Sequence, residues 1–339
     1  MNKTTMMMCA VAGLLAASAC GGLKVKDGDV VAFLGDSITQ NGQRNPDGYV
    51  NLVLRALEEE GVNVKAIKAG VSGHKSDNML QRLERDVLSH RPQWMTLSCG
   101  VNDVWHQDRG KGVSLEDYRR NVTKILDSCA AANCTVIVMT ATMFENRGME
   151  KDPHNVKLAP YNDWLRAEAK RRGLPLADLN AAMWAAHAAN PSVRLTRDGV
   201  HMAGEGDRLM ARGVLAAMGL GADRLAALER TAWRAVWVLC RFDLKPDADR
   251  ADYIAKTKAV LAKVRAEEGC LEYRLLGDAE TDWEKPQRFG ERTLWMLEKW
   301  VSVRALQKHL ATPHMKAFGP TVRPLRSAST FHVLEDVAP

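Results

Sequence analysis

From Val30 to about Leu220, short apolar runs alternate with longer stretches whose apolar residues recur at helical spacing, and this alternation constrains the fold more than any other feature. The runs predicted as strands are Val30 to Leu34, Val64 to Ala69, Trp94 to Ser98, Thr135 to Thr140 and a short Leu174 to Asp178. Helical stretches between them include Tyr49 to Glu60, Asp77 to His90 and Leu115 to Ala132. Parallel neighbours need long crossover connections, so this order predicts an α/β fold with a parallel sheet covered by helices on both faces. The loops after Leu34, Ala69 and Ser98 then share the carboxyl edge of the sheet, the edge on which open α/β sheets bind ligands.

The pattern changes near Gly219 to Arg230, and 339 residues leave room for a second domain. The order there is strand (Trp233 to Leu244), helix (Ala251 to Glu267), strand (Cys270 to Leu276), strand (Thr293 to Trp300), helix (Val303 to Phe318) and strand (Ser329 to Glu335). A β-α-β-β-α-β order predicts a ferredoxin-like α+β fold. The expected division is a leader at 1–20, an α/β domain at 24–220, a linker at 221–231 and the α+β domain at 232–336.

The stretch "VVAFLGDSITQNG" ends the first strand abruptly at Gly35-Asp36-Ser37, which places Ser37 at the ligand edge. A serine hydroxyl is a weak nucleophile until a base takes its proton, so Ser37 needs partners. Three motifs at the same edge supply them. "AGVSGHKS" offers backbone N–H groups around Gly70 and Gly73, and "CGVNDVW" offers the Asn102 amide; both can stabilise an oxyanion. "RDGVH" sets Asp198 and His201 three residues apart, so one turn can present acid and base together. Asp36 and Asp103 read as loop anchors, and Gly70 as a turn glycine. A rival reading gathers His74, His106 and Asp103 with Asp198 and His201 around metal ions as a metallophosphoesterase, which would leave the serine without a role. Trp105 is a candidate sugar-stacking platform and His74 a candidate substrate-edge residue, with packing and solvated loop as the plainer roles.

The blocks "GDSIT", "GVSG", "GVND" and "DGVH", in that order across Val30 to about Leu220, resemble those of the SGNH hydrolases, or GDSL-type esterases. The resemblance implies a three-layer α/β/α fold, no metal or other cofactor, Ser37 as nucleophile, His201 as base and Asp198 as its partner. It also implies an oxyanion hole from the backbone of Ser37, Gly73 and the Asn102 side chain. Among branches, the chain most resembles the rhamnogalacturonan and xylan acetylesterases. The segments "EEGCLEYRLL", "LWMLEKW" and "ALQKHLATPHMKAF" resemble the antibiotic biosynthesis monooxygenase family over about Trp233 to Glu335. That family implies a small domain that commonly forms a homodimer through its sheet and sometimes oxidises aromatic quinols without metal or flavin. Trp295, Trp300, His309 and His314 are candidates for an aromatic pocket there, with sheet and helix packing as the alternative.

Lys3 precedes an apolar run, Met6 to Ala17, that is too short to span a bilayer and ends in small residues at Cys20. This reads as an export signal. "LLAASAC" resembles a lipobox, which predicts a lipid on Cys20 and attachment to a membrane. Ala17, where leucine is usual, keeps simple secretion as the alternative. Of seven cysteines, Cys99, Cys129, Cys134, Cys240 and Cys270 remain after Cys9 and Cys20 are set aside, an odd number that argues against a full disulfide framework. Cys129 and Cys134 are near enough to pair or to be buried thiols, and no spacing indicates structural zinc. The net charge of +6 is dispersed, with no basic block, so no nucleic-acid partner is expected. Together these features predict an exported serine esterase, periplasmic, at the cell surface or secreted, that deacetylates a polysaccharide or oligosaccharide. Alternatives are a lysophospholipase or thioesterase, a noncatalytic carbohydrate-binding protein, or a protein whose activity is oxygenation by the C-terminal domain.

Overall fold

The computed structural model describes residues 22–337 other than Lys285, so the leader and Cys20 lie outside the described residues. The chain divides into two compact units between Leu228 and Glu229. The segment expected as a linker is largely a helix, α9 (Ala222–Thr231), with Leu225 and Leu228 buried.

In the first unit five strands, β1 (Val30–Gly35), β2 (Lys65–Gly70), β3 (Trp94–Ser98), β4 (Thr135–Met139) and β5 (Leu176–Ala177), form a wholly parallel sheet in the order β2-β1-β3-β4-β5. The β1 side chains are buried almost throughout, as a central strand covered on both faces demands. At the edge, β2 carries Lys65 and Lys68 exposed, charges that discourage pairing with another chain. Helix α1 (Ser37–Arg44) starts directly after β1, and α2 (Tyr49–Glu59) buries Tyr49, Val50, Leu52, Val53, Ala56 and Leu57 as one apolar face. Then come α3 (Ser76–Asp86), the short α4 (Val101–Trp105) and α5 (Leu115–Ala131). The stretch expected as helix to His90 breaks at Val87, and Leu88–His90 continue as a 3₁₀ turn. Helices α1 and α4 were not among the stretches named from sequence, nor were α6 (Pro153–Arg172), α7 (Leu179–Ala189) and α8 (Glu205–Ala217).

Across the sheet, Gly35 pairs with Gly70 on one side and Ser98 on the other. The loops that follow these three strands therefore leave the sheet at one level. Because β1 runs to β2 on one side and β3 lies on the other, the sheet order reverses beside β1, and a crevice forms there.

The second unit has β6 (Val236–Leu244), β7 (Cys270–Leu276), β8 (Thr293–Trp300) and β9 (Arg326–Leu334) in one antiparallel sheet, order β7-β8-β6-β9. This is the ferredoxin-like arrangement. Helix α10 is Arg250–Arg265, and the single helix expected from Val303 is two, α11 (Val303–Ala311) and α12 (Pro313–Val322). Pro313 cannot continue a helix but suits the first turn of the next, and the Thr312 hydroxyl accepts the Met315 N–H to cap it. One face of the sheet buries Val236, Val238, Cys240, Met296 and Trp300 against Val264 and Leu306.

Candidate active site

Asp36 caps α1, its Oδ1 accepting the Ile38 N–H at 2.8 Å, so Ser37 is the first residue of the helix. The opening N–H groups of a helix have no intrahelical acceptor, which leaves the Ser37 N–H free to face an anion. Asp36 is buried, and burial pushes its carboxyl up to about 7, helped by the charge of Asp103 and opposed by the Ile38 N–H. The Ser37 Oγ–H donates to His201 Nε2 at 2.9 Å, and His201 Nδ1–H donates to Asp198 Oδ2 at 2.8 Å. Asp198 Oδ1 accepts the His201 backbone N–H at 2.8 Å, so the acid clamps both ends of the histidine. Partial burial alone would raise the Asp198 carboxyl, but the His201 N–H, its ring and the Val200 N–H outweigh it and hold the group below the usual range.

The loop bearing this pair is fixed from behind. Glu145 accepts from the Thr196 N–H and hydroxyl at 3.1 and 2.6 Å, Thr196 Oγ1 accepts the Gly199 N–H at 3.0 Å, and the Glu145 N–H donates to Gly199 O at 2.8 Å. Gly199 has φ +90°, a conformation that favours glycine.

The two remaining loops are tied to each other. Asn102 Nδ2 donates to His74 O at 3.1 Å, and Asp103, buried, accepts the Ser76 hydroxyl at 2.6 Å and its N–H at 3.1 Å. Gly73 turns the chain with φ +77°, and the turn's own bond, His74 N–H to Val71 O at 3.3 Å, leaves the Gly73 N–H outside it. Arg82, buried on α3, joins the set by donating to Gly35 O at 2.9 Å and to His74 Nδ1 at 3.0 Å, with Asp86 at 3.2 Å as its counterion.

A serine held on a sheet edge by an oriented histidine, beside two loops of donors, is the arrangement of an acyl-transfer site. The sequence model of the GDSL-like Lipase/Acylhydrolase family matches residues 33–209, more than half of the chain. The chain belongs to that family. This GDSL-like hydrolase is a carboxylic ester hydrolase. It is 26% identical over 215 residues to an acetylxylan esterase of Geobacillus stearothermophilus, covering 58% of this chain and 97% of that protein. With the uncharacterized lipoprotein YqeF of Bacillus subtilis strain 168 it shares 29% identity over 177 residues, 44% of this chain and 70% of the relative. The crystal structure of the acetyl xylan esterase AlAXEase is similar at a TM-score of 0.51 and 29% identity, over 56% of this chain and 98% of that one. The antibiotic biosynthesis monooxygenase model matches residues 235–320, so the hydrolase carries a domain of that kind on its C-terminal side.

Of the residues singled out by sequence, Ser37, Asp198 and His201 meet in one hydrogen-bonded chain, and Asn102 and the Gly73–His74 loop are bonded together. His74, expected at the substrate edge, spends its Nδ1 on Arg82, and burial followed by the Arg82 charge lowers its pKa. Among the described residues, His74, His106, Asp103, Asp198 and His201 do not bring three ligand atoms close enough together to hold a metal ion; Asp103 bonds Ser76, and His74 bonds Arg82. Trp105 is half-buried, with its ring edge-on to Phe144 at 6.5 Å. Arg82, Ser76 and Glu145 were not foreseen. Arg82 reads in sequence as an ordinary polar position of an amphipathic helix, and nothing local says that it faces inward.

In the second unit the expected aromatic pocket is not formed as a set. Trp295 and Trp300 stand on opposite faces of β8, because five positions is an odd step along a strand. Trp295 packs edge-on to Phe289 at 5.0 Å, whereas Trp300 is fully buried and stacks on His309 at 4.6 Å. His314 lies on the Trp300 and His309 side through Glu267, which sequence reasoning missed: His309 Nδ1–H and His314 Nε2–H donate to Glu267 Oε1 at 3.0 and 2.6 Å. Cys99, Cys129, Cys134, Cys240 and Cys270 are free thiols.

Proposed function

We propose that this ester hydrolase removes acetyl groups from a xylan-type polysaccharide or its oligosaccharides, outside the cytoplasm. Ser37 attacks the acetyl carbonyl while His201 takes its proton. Asp198 holds the His201 ring in the tautomer that leaves Nε2 free and stabilises the imidazolium that forms. The Ser37 N–H, the Gly73 N–H and the Asn102 amide receive the developing oxyanion. His201 then gives its proton to the departing sugar oxygen, which leaves as a hydroxyl, and water repeats the sequence on the acetyl-serine to release acetate and restore Ser37. The hydrogen-bonded chain Ser37–His201–Asp198 carries this reading, and the named activity of the esterases the chain resembles supports the substrate class.

The sequence reading of residues 1–20 as an export leader, with Cys20 as lipid site, agrees with a relative named as a lipoprotein. We assign residues 24–220 to hydrolysis and residues 232–336 to pairing of two copies of the chain.

The deciding experiment compares acetate release from acetylated xylan and from 4-nitrophenyl acetate by the native protein and by Ser37→Ala. The native protein releases acetate from both, and the variant loses about 10⁶-fold in kcat, the scale seen when the nucleophile of a serine triad is removed. Release by the variant at the native rate would overturn the assignment.

A further inference from the structure

We propose that Glu267, His309 and His314, in the C-terminal domain, form a binding site for a divalent transition-metal ion. Each offers one ligand atom, and these atoms lie within 4.8 Å of one another; among the described residues this is the one group of three or more such side chains so placed. Glu267 Oε1 is 3.0 Å from His309 Nδ1 and 2.6 Å from His314 Nε2. Ligands of a tetrahedral ion with metal bonds of about 2.0–2.1 Å stand roughly 3.3–3.4 Å apart, so small side-chain adjustments open the cluster to an ion.

The backbone brings the three together by a specific device. On a continuous helix, residues five apart point about 140° away from each other. Here the chain breaks between α11 and α12, with Thr312 donating to His309 O at 2.8 Å and Pro313 opening the next helix. The break turns both rings onto one carboxylate. His309 sits at the end of α11, packed between Trp300 at 4.6 Å and Tyr273 at 5.4 Å, which fixes its plane. It is 1% exposed, while the Glu267 and His314 side chains remain 13% and 23% exposed, so an ion has a way in.

Two imidazoles and one carboxylate favour zinc, iron, nickel or copper over magnesium or calcium, which take oxygen ligands. An ion would replace the two N–H···O contacts, each neutral ring carrying its proton on its other nitrogen. Three protein ligands leave at least one position for water or an added ligand.

The test uses the full chain, stripped with a chelator and titrated with Zn²⁺ by calorimetry, and with Co²⁺ by visible absorption. Native protein is expected to bind one ion saturably and to show a Co²⁺ d–d band. Glu267→Gln, which keeps the size of the side chain, and His314→Ala, at a partly exposed position, are each expected to weaken binding by at least about tenfold and remove the band. These positions avoid the cavity that loss of His309 would leave, and circular dichroism checks that both variants are folded. Absence of saturable binding by the native protein would overturn the proposal, and so would binding that both folded variants retain unchanged.

Discussion

Asn102 has two amide protons, and the protein uses one of them, on His74 O at 3.1 Å. The proposed oxyanion role needs the other, already oriented by the first. Asn102→Ala is therefore expected to lower kcat on 4-nitrophenyl acetate by about 100- to 1,000-fold with little change in KM, since the lost donor acts on charge that exists only in the transition state. Steady-state kinetics checks this, and an unchanged kcat removes Asn102 from the oxyanion hole. Asp36 makes a different prediction, about stability. Its carboxyl titrates near 7 in the folded protein against an ordinary 3.8, burial being the main cause. Between those values the folded state holds more protons than the unfolded chain, so this group's contribution is fully present below about 4 and is lost as the pH rises through about 7. Asparagine keeps the acceptor for the Ile38 N–H but cannot ionise. The stability of Asp36→Asn relative to the native protein should thus rise from pH 5 to pH 8, read as the difference in Tm at the two values. A difference that does not change with pH would mean that Asp36 does not titrate in this range.

At the scale of elements, the nucleophile depends on how closely α1 approaches β2. A Cβ added to Gly70 would lie 2.4 Å from the Gln40 backbone N and 2.7 Å from the Thr39 backbone carbon, atoms that cannot move without moving α1. Gly70→Ala is expected to cost about 1–3 kcal/mol or more and to lower kcat by displacing Ser37, measured by urea unfolding and ester hydrolysis on the same preparation. Native stability and activity in that variant would show that the approach is slack. Sequence reads Gly70 as a turn glycine, whereas it is the last residue of β2 and its smallness serves packing, because a contact between distant segments leaves no local pattern. The elements that were legible had strong local signals: β3, β7 and β8 match their expected bounds, being apolar or alternating runs cut off by turn residues. Helix α6 was hidden by Pro153, Pro160 and a charged end, and its burial of Leu158, Tyr161, Leu165 and Ala169 is decided by tertiary packing. The split between α11 and α12 was written in Thr312-Pro313, but apolar periodicity across the break masked it. The motifs named Ser37, Asn102, Asp198 and His201 because each is a local pattern at a strand end or turn. Arg82 and Glu267 have no such pattern, since their partners lie far away in sequence or across a chain break.

At the scale of the whole molecule, each unit has its own sheet, and the second has its own apolar core, so the proposed hydrolysis and the proposed pairing fall to different units. On the face of the second sheet opposite its helices, Trp237, Leu239, Trp295 and Leu297 are only half-buried. On edge strand β9, Leu334 pairs with Trp237 and so joins this face, 47% exposed. Apolar surface of this extent on a sheet is stabilised when a second copy covers it, about 25 cal/mol for each Å² removed from water. Light scattering on the full chain should then give twice the monomer mass, and Leu239→Arg with Leu297→Glu should halve it. Residues 22–231 alone should be monomeric and should hydrolyse 4-nitrophenyl acetate within about twofold of the full chain, because a small ester meets one site at a time. On acetylated xylan the proposed dimer would bring two hydrolase sites to one polymer, and the second encounter would become intramolecular at an effective concentration set by the link between them, so avidity would exceed single-site affinity by about 10²-fold or more. The dimer-breaking variant should therefore lose activity on dilute polymer while keeping it on the small ester. Equal loss on both substrates would place the effect in the hydrolase fold, and a native protein that is monomeric at all concentrations would remove pairing as the work of the C-terminal domain.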